Sequence, residues 1–538
     1  TTDAVASDLT TISGLVGSET LTLSGSGTLS DANVADNKTV SLNTLSIADN
    51  TGLAANYTLS GGTHQLTVNQ RPLNATLSRQ YDGTTTSAGS DLSSFDALQG
   101  GETLTLSGSG TSASANVANG IAMSSNGNLA LVDGTGLASN YSLNSTVINI
   151  TERVLNSSGS KIYDANTDAL AADITLSNLV SGEALNHSGT ATISSANAGS
   201  YTITNLAGIT IADGSGGTAS NYTLTGGTHN FTVNRRVVGV SGTRLYDATT
   251  NAVASDLSTH TNLVGTETLN LSGTGTIASK NVGSNKTVSV GTLALADGSN
   301  GGLAANYTLS GGTHQLTVNQ RPLNATLSRQ YDGTTTSAGS DLSSFDALQG
   351  GETLTLSGSG TSASANVANG IAMSSNGNLA LVDGTGLASN YSLNSTVINI
   401  TERVLNSSGS KIYDANTDAL AADITLSNLV SGEALNHSGT ATISSANAGS
   451  YTITNLAGIT IADGSGGTAS NYTLTGGTHN FTVNRRVVGV SGTRLYDATT
   501  NAVASDLSTH ANLVGTQTLN LSGTGTIASK DVGSNKTV

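Results

Sequence analysis

Tyrosine, aspartate and arginine recur at fixed spacings along this chain, and each could support binding chemistry. An exposed tyrosine ring can stack on a sugar, an arginine can pair with an acidic glycan, and a carboxylate in a turn can bind calcium. Tyr-Asp pairs begin at residues 81, 163, 246, 331, 413 and 496, each ten residues after an arginine. Asn-Tyr pairs end at residues 57, 141, 222, 307, 391 and 472. Any function that uses these residues must therefore be repeated along the chain.

We interpret these recurring residues as structural markers, with sugar stacking and glycan pairing as the alternative. The chain has no tryptophan and only four phenylalanines, so the tyrosines are needed to fill apolar cores. Each arginine lies where one repeat meets the next, so we expect it to tie the two together through backbone carbonyls, a carboxylate or a tyrosine face. The markers are Tyr81, Asp82, Tyr141, Arg153, Tyr163, Asp164, Tyr222, Arg236, Tyr246, Asp247, Tyr307 and Arg321.

The sequence shows no recurring catalytic, cofactor or metal site. Histidines lie in strand contexts such as His64 and His187, and residues 71–152 contain none, so no catalytic or metal-binding triad recurs. An Asp-Gly turn such as Asp82-Gly83 offers one carboxylate, whereas calcium takes about six to eight oxygen ligands. The absence of cysteine excludes disulfides and thiolate metal sites. We therefore predict that the chain is not an enzyme.

The marker spacing defines a module of about 83 residues. Residues 52–288 reappear as residues 302–538 with only three differences, at Thr261/Ala511, Glu267/Gln517 and Asn281/Asp531. A chain that serves as a spacer gains length with every copy, whereas one active site gains nothing. We predict partial modules at 1–70 (module 0) and 486–538 (module 6), both of the module 3 type, and whole modules at 71–152 (module 1), 153–235 (module 2), 236–320 (module 3), 321–402 (module 4, repeating module 1) and 403–485 (module 5, repeating module 2).

Alternating apolar and polar residues predict strands throughout. Leu73, Ala75 and Leu77 share one face of such a strand. We also predict a hairpin at the end of each module, in which residues 56–60 pair with residues 63–68 across Gly61-Gly62. Helical periodicity is absent. The predicted fold class is all-β: a linear tandem array of β-sandwich or β-grasp-like modules that forms a rod.

Charge and hydropathy restrict the partners. The net charge is -16, only 10% of the residues are charged, and there is no basic run. Nucleic acids and anionic membranes require clustered lysine and arginine, so neither is an expected partner. No run of about 18 apolar residues occurs, so we expect no membrane insertion of this segment.

The ordered motifs resemble a known repeat family. Tyr-Asp-Gly-Thr-Thr at residue 81, the Gly-Glu block at residue 101, Asn-Val-Gly-x-Asn-Lys-x-Val at residues 281–288 and Asn-Tyr-x-Leu are similar to the YDG and MBG repeats of bacterial adhesins. Such repeats fill the rods of very large filamentous-haemagglutinin-like proteins exported by two-partner secretion, including the CdrA-like biofilm-matrix adhesins. Two module types depart from the motif, with Tyr-Asp-Ala at Ala165 and Ala248.

The resemblance implies a structural function outside the cell. We expect a stalk segment at the bacterial cell surface or in the biofilm matrix, which extends a binding tip and supports cell-cell adhesion or biofilm cohesion. The parent protein would need an outer-membrane secretion partner. A multivalent array that binds extracellular polysaccharide is the alternative, because weak sites gain avidity from their number. Pairing between copies of the chain through exposed strand edges is a third possibility.

Overall fold

The computed structural model describes all residues from Thr1 to Val538, and its regular structure is all β. Strands make up 50% of the chain, and the tandem repeats of roughly 80 residues form curled sheets or half-barrels. Single 3-10 turns such as Ala171–Asp173 and Ala219–Asn221 interrupt the strands. No helix is present that could cross a membrane. The predicted all-β tandem architecture is confirmed.

The chain divides into two compact units that cut across module 3. One unit contains Thr1–Gly239, His260–Asn270 and Leu295–Gly312. The other contains Val240–Thr259, Leu271–Ala294 and Thr313–Val538. Modules 0, 1 and 2 lie in the first unit, and modules 4, 5 and 6 lie in the second.

Module 2 illustrates the architecture of the sheet. Six strands lie side by side in the order Asp168–Leu170, Leu185–Ile193, Gly199–Asn205, His229–Asn234, Asn156–Ile162 and Ile174–Ser177. Ile209–Asp213 pairs with the first half of Leu185–Ile193, and Arg153–Val154 pairs separately with Tyr222–Thr223. Modules 1, 4 and 5 follow the same plan, and the strands of modules 4 and 5 have the bounds of those in modules 1 and 2 shifted by 250 residues.

The remaining strand bounds follow the same order. Module 1 contains Arg71–Gln80, Thr86–Ala88, Leu92–Phe95, Leu104–Ser107, Ser109–Ser112, Ala118–Ser125, Ala130–Asp133 and Tyr141–Thr151. Module 0 contains Asp3–Val5, Leu21–Ser24, Ser26–Leu29, Ala35–Ser41, Ser46–Asp49 and Gln65–Val68. Module 3 contains Arg236–Val237, Gly239–Leu245, Asn251–Val253, Thr259–Thr261, Leu269–Ser272, Thr274–Ile277, Gly283–Ser289, Ala294–Asp297, Tyr307–Thr308 and His314–Asn319. Module 6 contains Gly489–Ser491, Asn501–Val503, Thr509–Ala511 and Thr524–Thr526.

A parallel pair occupies the middle of each sheet. In module 1 the first strand, Arg71–Gln80, runs parallel to the last, Tyr141–Thr151, over its whole length. Immunoglobulin-type sandwiches are built from antiparallel sheets, so this parallel pair distinguishes the module from that fold. The predicted alternation is present in the first strand, where Leu73, Ala75 and Leu77 are all buried.

The predicted terminal hairpin is wrong. In module 2 the Asn-Tyr segment Tyr222–Thr223 pairs in parallel with Arg153–Val154, at the start of the same module. The strand after the Gly-Gly dipeptide, His229–Asn234, instead joins the main sheet beside Asn156–Ile162. The dipeptide still forms a turn, with Gly226 at a φ of 86°. The turn therefore directs the two segments into different sheets, because the tyrosine packs toward the preceding module.

The core of each module extends into its neighbour. In module 1 the buried cluster includes Leu77, Ile148 and Ile150, and it continues into Leu155 and Tyr222 of module 2. Leu155 and Ile148 are completely buried. With few aromatic residues per module, sharing apolar surface across the boundary removes more of it from water than separate small cores could. Neighbouring modules in a unit are therefore packed against each other as well as linked by the chain.

Candidate functional site at the module joints

The predicted markers meet at the joints between successive modules. We define the joint between modules 1 and 2 by six residues: Tyr81 and Asn116 of module 1, and Arg153, Glu183, Asn221 and Tyr222 of module 2. All six lie in the first compact unit. Tyr81 directly follows the first strand of module 1, and Tyr222 begins the short parallel strand of module 2, so regular backbone fixes both tyrosines.

A carboxylate receives both tyrosine hydroxyls at this joint. The hydroxyl of Tyr81 donates to Oε1 of Glu183 at 2.6 Å, and the hydroxyl of Tyr222 donates to Oε2 at 2.6 Å. The ring centroids lie 5.4 Å apart with an interplanar angle of 78°, which is an edge-to-face contact. The backbone N–H of Val180 donates to the Tyr222 oxygen at 3.0 Å. Each polar atom of this buried cluster thus has a partner, as a desolvated position requires.

Burial keeps these tyrosines protonated. It raises the pKa of Tyr81 to about 12, and the hydrogen bond to the Glu183 carboxylate adds to this effect. The same two causes raise the pKa of Tyr222 to about 12. Both side chains are buried, at 5% and 3% exposure, so neither ring is available as a platform for a sugar. The arrangement suits cohesion between modules.

The joint arginine binds backbone on both sides of the boundary. The Nη1 of Arg153 donates to the carbonyl of Tyr81 at 3.3 Å. Its Nε donates to the carbonyl of Asn178 at 2.6 Å, and its Nη2 donates to Oδ1 of the same residue at 2.9 Å. Asn178 adopts a φ of 67°, a conformation that asparagine tolerates better than most residues. Arg153 thus connects the end of one Tyr-Asp strand with a turn of the next module.

Two asparagines complete the joint. The Nδ2 of Asn221 donates to Oδ1 of Asn116 at 3.0 Å, and the backbone N–H of Val117 donates to Oδ1 of Asn221 at 2.9 Å. Asn221 is almost completely buried, with 1% exposure. A buried amide with both ends bonded specifies one register between the two modules, because a shift would leave polar groups unpaired.

The same joint recurs in both units. Its residues between modules 2 and 3 are Tyr163, Asn197, Arg236, Glu267, Asn306 and Tyr307; between modules 3 and 4 they are Tyr246, Asn281, Arg321, Glu352, Asn390 and Tyr391; between modules 4 and 5 they are Tyr331, Asn366, Arg403, Glu433, Asn471 and Tyr472. Ring centroids in these three tyrosine pairs lie 5.4, 5.2 and 5.4 Å apart. The markers Tyr163, Arg236, Tyr246, Tyr307 and Arg321 therefore occupy equivalent places.

The joint between modules 3 and 4 contains an additional charge. The Nζ of Lys280 donates to Oε1 of Glu352 at 2.6 Å and lies 5.9 Å from the ring centroid of Tyr246. Burial acts to raise the pKa of Glu352, but hydrogen bonds from Lys280, Tyr246 and Tyr391 outweigh it and hold the pKa below its usual value. Arg321 donates through Nε to the carbonyl of Tyr246 at 2.8 Å. This joint is therefore the one with an ion pair at its centre.

Two of the three sequence differences between the long repeats fall on joint positions. Gln517 occupies the place of Glu267, and its Nε2 donates to the hydroxyl of Tyr413 at 2.5 Å. Asp531 occupies the place of Asn281. A glutamine can accept a hydroxyl through one atom only, so Gln517 cannot receive two tyrosine hydroxyls as glutamate does. The joint chemistry is therefore not identical at every position of the array.

The remaining markers lie close to these joints. Tyr141 of module 1 is buried and donates to Oε2 of Glu102 at 2.5 Å. The aspartates of the Tyr-Asp pairs bind a basic side chain of their own module: Asp82 pairs with Arg79, Asp164 with Lys161 at 2.8 Å, and Asp247 with Arg244. Burial acts to raise the pKa of Asp82, but hydrogen bonds from Thr84 and the Arg79 charge outweigh it and lower the pKa.

Lysine occupies the centre of the Tyr-Asp turn in module 2. Besides Asp164, the Nζ of Lys161 donates to the carbonyl of Asn166 at 2.9 Å, to its Oδ1 at 2.7 Å and to the carbonyl of Asp168 at 2.7 Å. These oxygens are the type that calcium prefers, and the ammonium group already binds them. No group of three or more His, Asp or Glu side chains in the structure is placed to hold a metal ion.

Sequence reasoning missed the joint glutamate. Glu102 and Glu183 were visible only as part of a strand-forming Gly-Glu block, without a role. A signal was present: in a chain with 10% charged residues, a glutamate precedes the tyrosine of Asn-Tyr by 39 residues in both modules 1 and 2. The partner in the preceding module, Tyr81, lies 102 residues before Glu183, and no local pattern indicates that contact.

Comparison with known families agrees with the module repeat. A family model described as the YDG domain matches seven consecutive segments, residues 1–67, 63–148, 151–229, 232–316, 314–398, 401–479 and 482–538. The repeat family suggested by the sequence motifs is therefore confirmed across nearly the whole chain. The module boundaries placed at the arginines stay a prediction. A search of curated protein sequences found no match.

Proposed function

We propose that this chain, which belongs to the YDG domain family, is a structural stalk segment of an extracellular bacterial adhesin. In this function it extends a binding tip from the cell surface and supports cell-cell adhesion or biofilm cohesion. The parent protein would be of the filamentous-haemagglutinin-like, two-partner-secreted class. The proposal assigns the repeated residues to cohesion between modules and assigns no chemistry to them.

The observation that carries the proposal is the short, bonded connection between modules. A single residue, Glu152, separates the strand Tyr141–Thr151 from the strand Arg153–Val154. Arg235 occupies the same position between His229–Asn234 and Arg236–Val237. A flexible linker would let neighbouring modules swing independently, whereas a linker of one residue within a packed joint restricts them. Restricted joints are what a spacer needs in order to keep two ends apart.

The burial of the tyrosines weighs against the polysaccharide-binding alternative. Tyr222, Tyr246 and Tyr307 are at most 3% exposed. Stacking on a sugar requires an accessible aromatic face. A pull-down of the chain with matrix polysaccharide addresses this alternative, because binding that increases with the number of modules would support a multivalent array.

Small-angle scattering of the whole chain tests the proposal. A compact fold of this length would have a radius of gyration of about 24 Å. We expect a value well above that for a stalk, and a value near it would contradict the proposal.

An arginine variant tests whether the joints hold the stalk. Arg236→Ala removes the bonds to Tyr163 and Asn262, so we expect a broader distribution of interatomic distances. The neighbouring Arg235 is exposed, which makes Arg235→Ala the matched control.

A further inference from the structure

The tyrosine pairs of the joints combine two features that oxidation chemistry requires. The two rings are in contact, and one carboxylate accepts both hydroxyl protons. At the joint between modules 1 and 2 these groups are Tyr81, Tyr222 and Glu183. A phenol that loses an electron becomes strongly acidic, so a hydrogen-bonded base makes that loss easier by taking the proton in place. Glu183 is such a base, and it is fixed before any oxidant arrives.

We propose that the tyrosine pair at each glutamate-containing joint is a latent oxidative cross-linking site that forms a dityrosine bond between successive modules. The oxidant is a one-electron oxidant of the class produced by peroxidases and hydrogen peroxide. Its consequence for a stalk rests on the proposed function, whereas the chemistry depends only on the geometry of the joint.

The electron and proton balance of the step is simple. Each phenol gives one electron to the oxidant and its hydroxyl proton to Glu183, which passes it to solvent. The two phenoxyl radicals join through the ring carbons next to the hydroxyl carbons, and the two ring hydrogens then move to the oxygens and restore the phenols. Two electrons and two protons leave in total. The bonded product is therefore lighter by two hydrogen atoms.

The geometry favours coupling within a joint. Because both hydroxyls converge on one carboxylate, the ring carbons beside them lie at the converging ends of the rings. The rings cannot drift apart without breaking hydrogen bonds of 2.6 Å on both sides. Coupling with a second molecule is excluded by burial, since Tyr81 is 5% and Tyr222 is 3% exposed. Electrons can leave through the protein even though a bulky oxidant cannot enter.

The experiment oxidises the whole chain with a photogenerated ruthenium oxidant and maps dityrosine by proteolysis and mass spectrometry. We expect cross-linked fragments joining Tyr81 to Tyr222, Tyr163 to Tyr307 and Tyr246 to Tyr391. The sequence around Tyr331 and Tyr472 is identical to that around Tyr81 and Tyr222, so these two joints are read together. Dityrosine confined to the exposed Tyr496, or formed only between molecules, would overturn the proposal.

Paired variants test the part of the carboxylate. Glu183→Gln combined with Glu433→Gln should reduce the Tyr81–Tyr222 fragment, while the Tyr163–Tyr307 fragment of the same molecule serves as the internal reference. The matched control is Glu152→Gln with Glu402→Gln, which changes exposed glutamates. An unchanged fragment ratio in the joint variant would refute the role of the glutamate.

A second variant guards against a disturbed fold. Tyr81→Phe combined with Tyr331→Phe keeps the rings and removes the reacting hydroxyls, so only this one fragment should be lost. Persistence of the fragment would contradict the assignment. Scattering of the unoxidised chain judges the stalk proposal separately, so the two proposals can fail independently.

Discussion

At the scale of single residues, a glutamate determines how two tyrosines can be buried together. A buried hydroxyl without a partner costs more than an apolar group of the same shape. Glu183 satisfies two hydroxyls from different modules with its two oxygens, and it keeps both rings in one orientation. The chain therefore spends one of its few charged residues at each of these joints.

Replacing this glutamate should weaken the joint. Glu183→Gln leaves one hydroxyl without an acceptor, so we expect the free energy of unfolding to fall by about 1–3 kcal/mol. Hydrogen exchange at Val180, whose N–H donates to Tyr222, should speed up at the same time. Denaturant unfolding and exchange measured by mass spectrometry check both effects. Glu152→Gln is the control, and an equal loss in both variants would contradict the explanation.

Alanine stands in a glycine-like conformation in the Tyr-Asp turns. Ala165 has a φ of 65°, and module 1 has Gly83 at the equivalent place with a φ of 76°. An alanine in the left-handed region is strained relative to glycine.

Relieving that strain should stabilise module 2. Ala165→Gly is expected to add about 0.5–1 kcal/mol, after the greater freedom of glycine in the unfolded chain is counted. The reverse change, Gly83→Ala, should destabilise module 1, because the added Cβ would lie 2.8 Å from Cγ1 of Val180. Melting temperatures of the two variants should therefore move in opposite directions.

At the scale of the strand, one glycine lets Leu185–Ile193 serve two sheets. Its first half pairs with Ile209–Asp213, and its second half joins the main sheet. Gly189 lies at the change with a φ of 100°, and a Cβ there would lie 1.9 Å from the carbonyl oxygen of Gly208. No other residue fits this position, so the glycine allows the sheet to curl.

Two glycine variants separate conformation from contact. Gly226 has a φ of 86° but no atom within 4 Å of an added Cβ. Gly226→Ala should therefore cost about 1–2 kcal/mol for the left-handed conformation alone. Gly189→Ala should cost about 1–3 kcal/mol more, because the Cβ collides with backbone. Chemical denaturation of both variants measures the difference, and equal losses would show that the close contact is relieved at little cost.

At the scale of the whole molecule, alkaline pH acts on every tyrosine-containing joint at once. The pKa of Tyr163 and of Tyr307 is about 12, against an ordinary value of 10.0. Folding thus favours the neutral hydroxyl. The stability that it contributes is complete below pH 10 and is lost as the pH rises through about 12.

We therefore expect the melting temperature to decline between about pH 10 and pH 12, together with the appearance of phenolate absorbance. Tyrosine-to-phenylalanine changes at the joints should reduce the slope, since they remove the titrating hydroxyls. A melting temperature that falls well before the phenolate appears would show that other groups cause the loss.

The particular errors and successes of the sequence predictions have a common physical origin. Alternation placed Leu73, Ala75 and Leu77 on a buried face correctly, because strand geometry fixes which side chains share a face. It could not identify a neighbouring strand, and the hairpin prediction for the Asn-Tyr segment failed for this reason. The arginines were placed at the boundaries by spacing alone, but their partner Asn178 depends on a turn that only the fold brings near.

The sequence by itself determined the repeat, the strand content and the residue types available to each module, because these depend on order along the chain. Only the tertiary structure decided that Tyr81 and Tyr222 share the carboxylate of Glu183. That contact joins two modules through groups far apart in sequence, and packing and hydrogen bonding in three dimensions select it. A period of two residues defines a face, and the partner of that face is chosen by what the neighbouring module leaves unsatisfied.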